Sequence, residues 1–429
     1  MSLPATPKRR SGSRLFLVVL ALLALHAAFL ILGRRAPSAG FLAGMLLDEL
    51  LLLVGAWRLA AKVFPSPRTR FFVAVAALGS SLGLDADALR VATLPLILVL
   101  LHEALETPAR APAFLAGSLL LLQSMGRSTA MALAIPAAIA LYGMGAAFLF
   151  GYPLRSRLRE RAWGLRAWIF GALLIGLMVF VSRIGEPRPW SSGRPFRFLD
   201  LAFGISPSPD AACFCGFLTL AFAGLGLSRG DRKQVFGLLA VALLCLLSGL
   251  APLLGLLVVF LAGWGFQGML DGAFRGSGAV RASAFALALL SLTLAALAEM
   301  LLVDPAALRG VTETLALQPT SKTAVLAIQR AGLASDLAGI SALMAALASG
   351  VLFLWNSGRR AAPLALGLAL FLHPLDLFGW KFRMTWLNAA PGIAPPMPRD
   401  VAIGLLLLGI VSAVTAVWEA ARFRKDGAA

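Results

Sequence analysis

Long apolar runs alternate with short polar breaks along nearly the whole chain. A membrane-spanning helix needs about 20 apolar residues, within a range of about 17–25. Runs of that order predict helices at 15–32, 41–61, 71–84, 91–105, 112–126, 129–150, 163–182, 211–228, 235–249, 251–270, 283–302, 335–355, 362–378 and 401–418. Those at 71–84, 91–105, 112–126 and 235–249 are short, which suits tilted or re-entrant half-spans. The pattern predicts an all-α, polytopic integral membrane helix bundle of about 12–14 transmembrane helices. Residues 1–429 read as one integral membrane domain, with no linker, repeat or soluble domain. Three longer polar segments, 183–210, 303–334 and 379–400, read as outer loops.

The first run is preceded by Lys8, Arg9, Arg10 and Arg14, as in a secretory signal. It spans 18 residues, Leu15 to Leu32, where a signal core has about 7–15. With many runs behind it, it reads as an uncleaved first helix.

Composition agrees with the pattern. Hydrophobic residues make up 59% of the chain and charged residues 14%, where a soluble domain carries about 25% charge. Mean hydropathy is +0.87. So few polar side chains cannot cover a water-facing surface, and lipid must cover the rest.

A net charge of +18 and a pI near 11.4 raise the question of nucleic acid. The basic residues form no single stripe, however. They sit in short clusters between apolar runs, as the positive-inside rule requires, so membrane lipids are the expected partners and nucleic acid is not. The denser clusters lie in alternate breaks: Arg14; Lys62, Arg68 and Arg70; Arg110; Arg155 to Arg166; Arg229, Arg232 and Lys233; Arg275 and Arg281; Arg359 and Arg360; Arg422, Arg424 and Lys425. That parity places both termini in the cytosol of a bacterial-type cytoplasmic (inner) membrane and 183–210 outside. Cys213, Cys215 and Cys245 match neither a disulfide framework nor a zinc site and read as small buried hydrophobes.

Three passages carry a family resemblance. LLLVGAWRLAAKVFPSPRTRFFVAVAALGSS, followed by LPLILVLLHEALE, is a helix, a basic turn, a short helix and a Pro-Leu-rich helix with an acidic end. GSLLLLQSMGRSTAMALAIPAAIALYGM is an aliphatic run, a Gly-containing break and a further helix. FGISPSPDAACFCGFLTLAFAGLGLSRGDRKQVFGLLAVALLCLLSGLAPLL leads from an outer segment through two helices joined by a basic turn. In this order they resemble the YfhO-like branch of the GT-C glycosyltransferase superfamily. The resemblance implies a polytopic bundle that transfers sugar from a polyprenyl-phosphate carrier at the outer face, with a catalytic acid in the first outer loop. Here that loop, Gly33 to Gly40 (GRRAPSAG), is shortened and holds no carboxylate. The nearest acids are Asp48 and Glu49.

Asp48 and Glu49 lie well inside an apolar run, where a charge costs at least about 2.5–3.5 kcal/mol and needs a partner or a watery cavity. They are the first candidates for catalysis, or for a proton or cation site. Their structural alternative is pairing with Arg34, Arg35 or Arg58. Asp200 is a further candidate base, and Asp210 reads first as a helix N-cap.

Arg183, Arg188, Arg194 and Arg197 suit a phosphate headgroup, because guanidinium forks grip phosphate oxygens; the alternative is anchoring on membrane-lipid headgroups. Trp190 and Phe196 would stack on a sugar or rest at the headgroup level in an aromatic belt. His373, Asp376, Trp380, Lys381, Arg383 and Trp386 form a polar-aromatic cluster, with Asp376 and Arg383 taken as substrate-binding candidates. It would line an outer cavity or anchor the chain at the interface. Glu103 is expected to pair with Arg110, and His26 and His102 stand isolated. No residues are argued to hold a metal. The cofactor stays open, a divalent cation included, although no ligand motif indicates one.

Two function classes follow. One is a glycosyltransferase-like membrane enzyme, degenerate or active, handling a polyprenyl-phosphate-linked sugar for the cell envelope. The other is non-enzymatic: a transporter or flippase-like protein, or a structural subunit of a membrane complex. Protein partners stay open.

Overall fold

The structure is a computed structural model that describes residues 10–32, 39–79, 94–106, 216–229, 251–274, 276–303, 331–389 and 399–426. These residues form ten α-helices and no strand: α1 (Arg10–Leu32), α2 (Ala39–Val63), α3 (Pro67–Gly79), α4 (Leu94–Glu106), α5 (Phe217–Arg229), α6 (Ala251–Leu270), α7 (Gly278–Val303), α8 (Ala331–Asn356), α9 (Ala362–Ala389) and α10 (Arg399–Asp426). The apolar runs at 112–126, 129–150, 163–182 and 235–249 lie outside the described residues. Of the ten helices, α7, α8, α9 and α10 contain stretches long and apolar enough to cross a membrane. The chain is an all-α membrane helix bundle. Several helices outrun the predicted spans, α9 most: it continues through 379–389, so the first half of the segment expected as a loop is helix.

α3 is the central post. Its residues from Phe71 to Gly79 are all buried, and it packs against α1, α2, α6 and α9. The run Phe-Phe-Val-Ala-Val-Ala-Ala-Leu is apolar all round, the signature of a helix buried on every side.

α7 and α8 form an antiparallel hairpin on heptad spacing. Val280, Ala284, Leu287 and Leu294 are buried on α7, and Ser335, Ala338, Ala342, Ala345, Ser349 and Leu352 on α8. Three serines stitch the seam. Ser349 donates to the carbonyl of Ala284 (2.7 Å), Ser291 to that of Ala342 (2.7 Å), and Ser335 to that of Ala298 (2.8 Å). Each step moves seven residues forward on α7 and seven back on α8. Such regularity requires a small residue at each crossing.

α5 and α6 approach more closely still. A Cβ on Gly226 would meet the carbonyl of Leu261, and one on Gly265 that of Phe222. Backbone touches backbone there, so only glycine fits.

The helix ends sort into two poles. At one, Arg14 of α1 lies over Trp418 of α10, Arg68 of α3 binds Glu419 of α10, Thr69 of α3 binds Gln267 of α6, and Trp355 of α8 meets Phe423 of α10. The described basic clusters at 14, 62–70, 359–360 and 422–425 converge on this pole, as alternation of the spans requires. At the other pole Gly79 of α3 meets Leu377 of α9. Outward faces of α7, α8 and α10 carry exposed Phe285, Leu292, Phe353, Leu406 and Val417, the surface that hydrocarbon covers.

Candidate functional site

α1 and α2 bring a histidine and two acids together. His26 Nδ1 lies 3.0 Å from Glu49 Oε1 and 3.2 Å from Oε2, and both side chains are about 1% exposed. With its proton on Nδ1, the imidazole donates to the carboxylate. Asp48 is the preceding residue on α2. Successive helical residues diverge by about 100°, so the two carboxylates share a turn without sharing a direction. Asp48 is only partly buried, yet its Oδ1 is shut off from solvent and accepts no hydrogen bond. An acid with a bare oxygen thus stands beside one held by an imidazole.

Of the arginines expected to partner these acids, Arg34 and Arg35 lie outside the described residues and Arg58 binds elsewhere. Arg58 places Nη2 2.7 Å and 2.8 Å from the two Glu103 oxygens, which corrects the pairing of Arg58 with the α2 acids; Arg110, the partner expected for Glu103, lies outside the described residues. His26 is correspondingly not isolated. No spacing rule links residues on separate helices. A depth count could have found the pair, because His26 lies seven residues before Gly33 and Glu49 nine after Gly40, at matching depth on either side of the turn.

A second cluster joins α3, α5, α6 and α9. His373, fully buried, stacks on Phe72 with centroids 3.8 Å apart. Phe72 stacks in turn on Phe266 (4.6 Å), and Phe222 meets both edge-on. Asp376, one turn along α9, accepts the Phe217 backbone N–H at 2.9 Å at the start of α5, where a carboxylate offsets the helix dipole. Gly216 takes φ +78°, and a Cβ there would press on Asp376 Oδ2 at 2.8 Å. His373 and Asp376 are therefore inside the bundle, where neither an interfacial anchor nor the lining of an open outer cavity would sit.

At the basic pole, Thr69 donates to Gln267 Oε1 (2.7 Å), and Gln267 Nε2 donates to Asp271 (2.8 Å). Arg68 Nε donates to Glu419 Oε2 (2.7 Å). These bonds satisfy polar groups at the ends of α3, α6 and α10, and no spacing along the chain signals them.

Arg383 lies on the helical backbone of α9. Asp200, Arg183, Arg188, Trp190, Arg194 and Arg197 lie outside the described residues, as do Asp210 and the three cysteines. Among the described residues no group of three or more His, Cys, Asp or Glu side chains could hold a metal ion. Comparison with protein-family models, with curated proteins and with solved structures gives no match.

Proposed function

We propose that the protein handles a polyprenyl-phosphate-linked sugar at the outer face of a bacterial cytoplasmic membrane, as a glycosyltransferase of the kind its sequence resembles, with both termini in the cytosol. The observation that carries this reading is Asp48, a carboxylate with a bare oxygen on the first helix after the first outer turn, beside a neighbour already engaged by His26. In the reaction Asp48 takes the proton of an acceptor hydroxyl. The hydroxyl oxygen forms a bond to the anomeric carbon, the bond from that carbon to phosphate oxygen breaks, and polyprenyl phosphate leaves with the electron pair. Arg183, Arg188, Arg194 and Arg197 would hold the phosphate, with Trp190 against the sugar. Arg383 and Asp200 remain candidates for the same outer site.

The test uses purified protein in lipid vesicles with a polyprenyl phosphate carrying a radiolabelled sugar and a panel of acceptors. Label should move from lipid to acceptor. Asp48→Asn should slow transfer by about a hundredfold or more, the scale of general-base catalysis, without lowering thermal stability. Label that stays on the lipid for every acceptor, or full activity in Asp48→Asn, overturns the reading.

The buried His26–Glu49 pair favours a second reading, because buried ionisable pairs in membrane bundles mark proton and substrate paths. A transporter or flippase-like protein would carry the labelled lipid across the bilayer intact.

A further inference from the structure

We propose that the face where α1 and α10 meet at the basic pole is a binding site for one anionic phospholipid. Its acyl chains would lie on the outward stripe of α10, with its phosphate held by Arg14, Arg424 and Lys425.

The stripe is continuous. Ile403, Leu406, Leu407, Ile410, Val414, Val417 and Trp418 are exposed at steps of three and four residues, so they form one helix face. The same face continues through Ala421 to Arg424 and Lys425, which are also exposed. Its apolar part ends at cations with no gap. From Val414 to Arg424 is ten residues, about 15 Å of helix. That is half of the roughly 30 Å hydrocarbon core, the depth of one leaflet. A phospholipid has the same length and the same polarity.

α1 completes the site from the side. Arg14 is exposed, and its guanidinium lies 5.1 Å from the Trp418 ring centroid. The outward positions behind it are Leu17, Ala21, Ala24 and Ala28, three of them alanine, so α1 offers a low wall beside the α10 ridge. Among the described side chains the charge on this face is unopposed. The neighbouring acid, Glu419, is turned inward onto Arg68, with Arg422 4.0 Å away. Among the described side chains no carboxylate pairs with Arg14, Arg424 or Lys425. Charge, length and apolar continuity together specify an anionic diester with acyl tails.

The first experiment is native mass spectrometry of detergent-purified protein incubated with phosphatidylglycerol or phosphatidylcholine. The wild type should retain phosphatidylglycerol preferentially. Basic residues near the surface attract anionic headgroups, so the Arg14→Gln, Arg424→Gln, Lys425→Gln triple variant should bind it about a hundredfold more weakly. A charge-matched control, Arg281→Gln, Arg359→Gln, Arg360→Gln, should bind as the wild type does. Equal retention of the two lipids, or equal loss in the control, overturns the site.

A second measurement needs no variant. Phosphatidylglycerol with a photoreactive headgroup, in vesicles with the wild-type protein, should label the first turns of α1 and the last turns of α10. Labelling spread evenly over 281 and 359–360 overturns it. So does efficient disulfide dimerisation of Val417→Cys, which would put a second copy on the stripe.

Discussion

The imidazole of His373 lies within 6° of parallel to the ring of Phe72, and its Nε2 is 3.0 Å from the carbonyl oxygen of the same residue. One side chain thereby stacks on α3 and donates a hydrogen bond to it. It does so just before Pro374, which lies inside α9 and deprives that helix of one backbone donor.

His373→Ala should therefore cost about 3–5 kcal/mol, the range for truncating a buried aromatic ring. His373→Phe keeps the stack and loses the bond, and should cost about 1 kcal/mol. Thermal unfolding of the detergent-solubilised protein should rank the wild type first, Phe close behind and Ala far below. If Phe is as damaging as Ala, the bond to Phe72 outweighs the stack.

The serine seam of α7 and α8 gives a second prediction. Interhelical hydrogen bonds in membranes average about 0.6 kcal/mol, with a maximum near 1.7, so no single Ser→Ala change at Ser291, Ser335 or Ser349 should matter much. The triple alanine variant should lose about 2 kcal/mol. Ser349→Leu alone should do worse, because it forces apart helices that pass on alanine. Chemical unfolding in mixed micelles would measure both. A harmless Ser349→Leu would mean the seam is looser than its heptad spacing implies.

The His26–Glu49 pair should be strongly coupled. Removing one partner of a buried pair costs about 3–5 kcal/mol, whereas an apolar replacement of both is often neutral. His26→Leu and Glu49→Leu should each destabilise by that amount, and the double variant should recover most of the loss. A double-mutant cycle on thermal stability reads the coupling directly. Additive losses would mean that the two side chains do not depend on each other.

These cases show what the sequence could and could not reveal. Among the described residues apolar run length located the helices well, since a helix satisfies its own backbone in lipid. The 71–84 run is short for a span because run length carries no sign of the helices that surround it. Partner choice was the harder part. Arg58 sits nearer in sequence to Glu49 than His26 does, yet it binds Glu103, because pairing follows which helices pack and which faces they turn. The same holds for Asp376, whose partner at Phe217 is 159 residues away. The heptad spacing of α7 and α8 was not legible, because in alanine-rich apolar runs the residues between the seam positions are apolar too.

The two poles carry the last prediction. Arg14, Lys62, Arg359, Arg360, Arg424 and Lys425 gather at one end of the bundle, and positively charged ends stay on the cytosolic side. Cys213, Cys215 and Cys245 are replaced to give a cysteine-free background. Ser357→Cys then probes the basic pole, where Ser357 is exposed between α8 and α9, and Ser192→Cys probes the 183–210 segment. A membrane-impermeant maleimide should label Ser192→Cys in intact cells. It should reach Ser357→Cys only after permeabilisation. The reverse pattern inverts the map and puts the arginines of 183–210 in the cytosol, out of reach of an outer substrate. Labelling of both in intact cells would break the alternation of spans between the two sites. Either result would remove the outer-face reading of Asp48 while leaving the helix packing untouched, because contacts between helices do not depend on which side of the membrane is which.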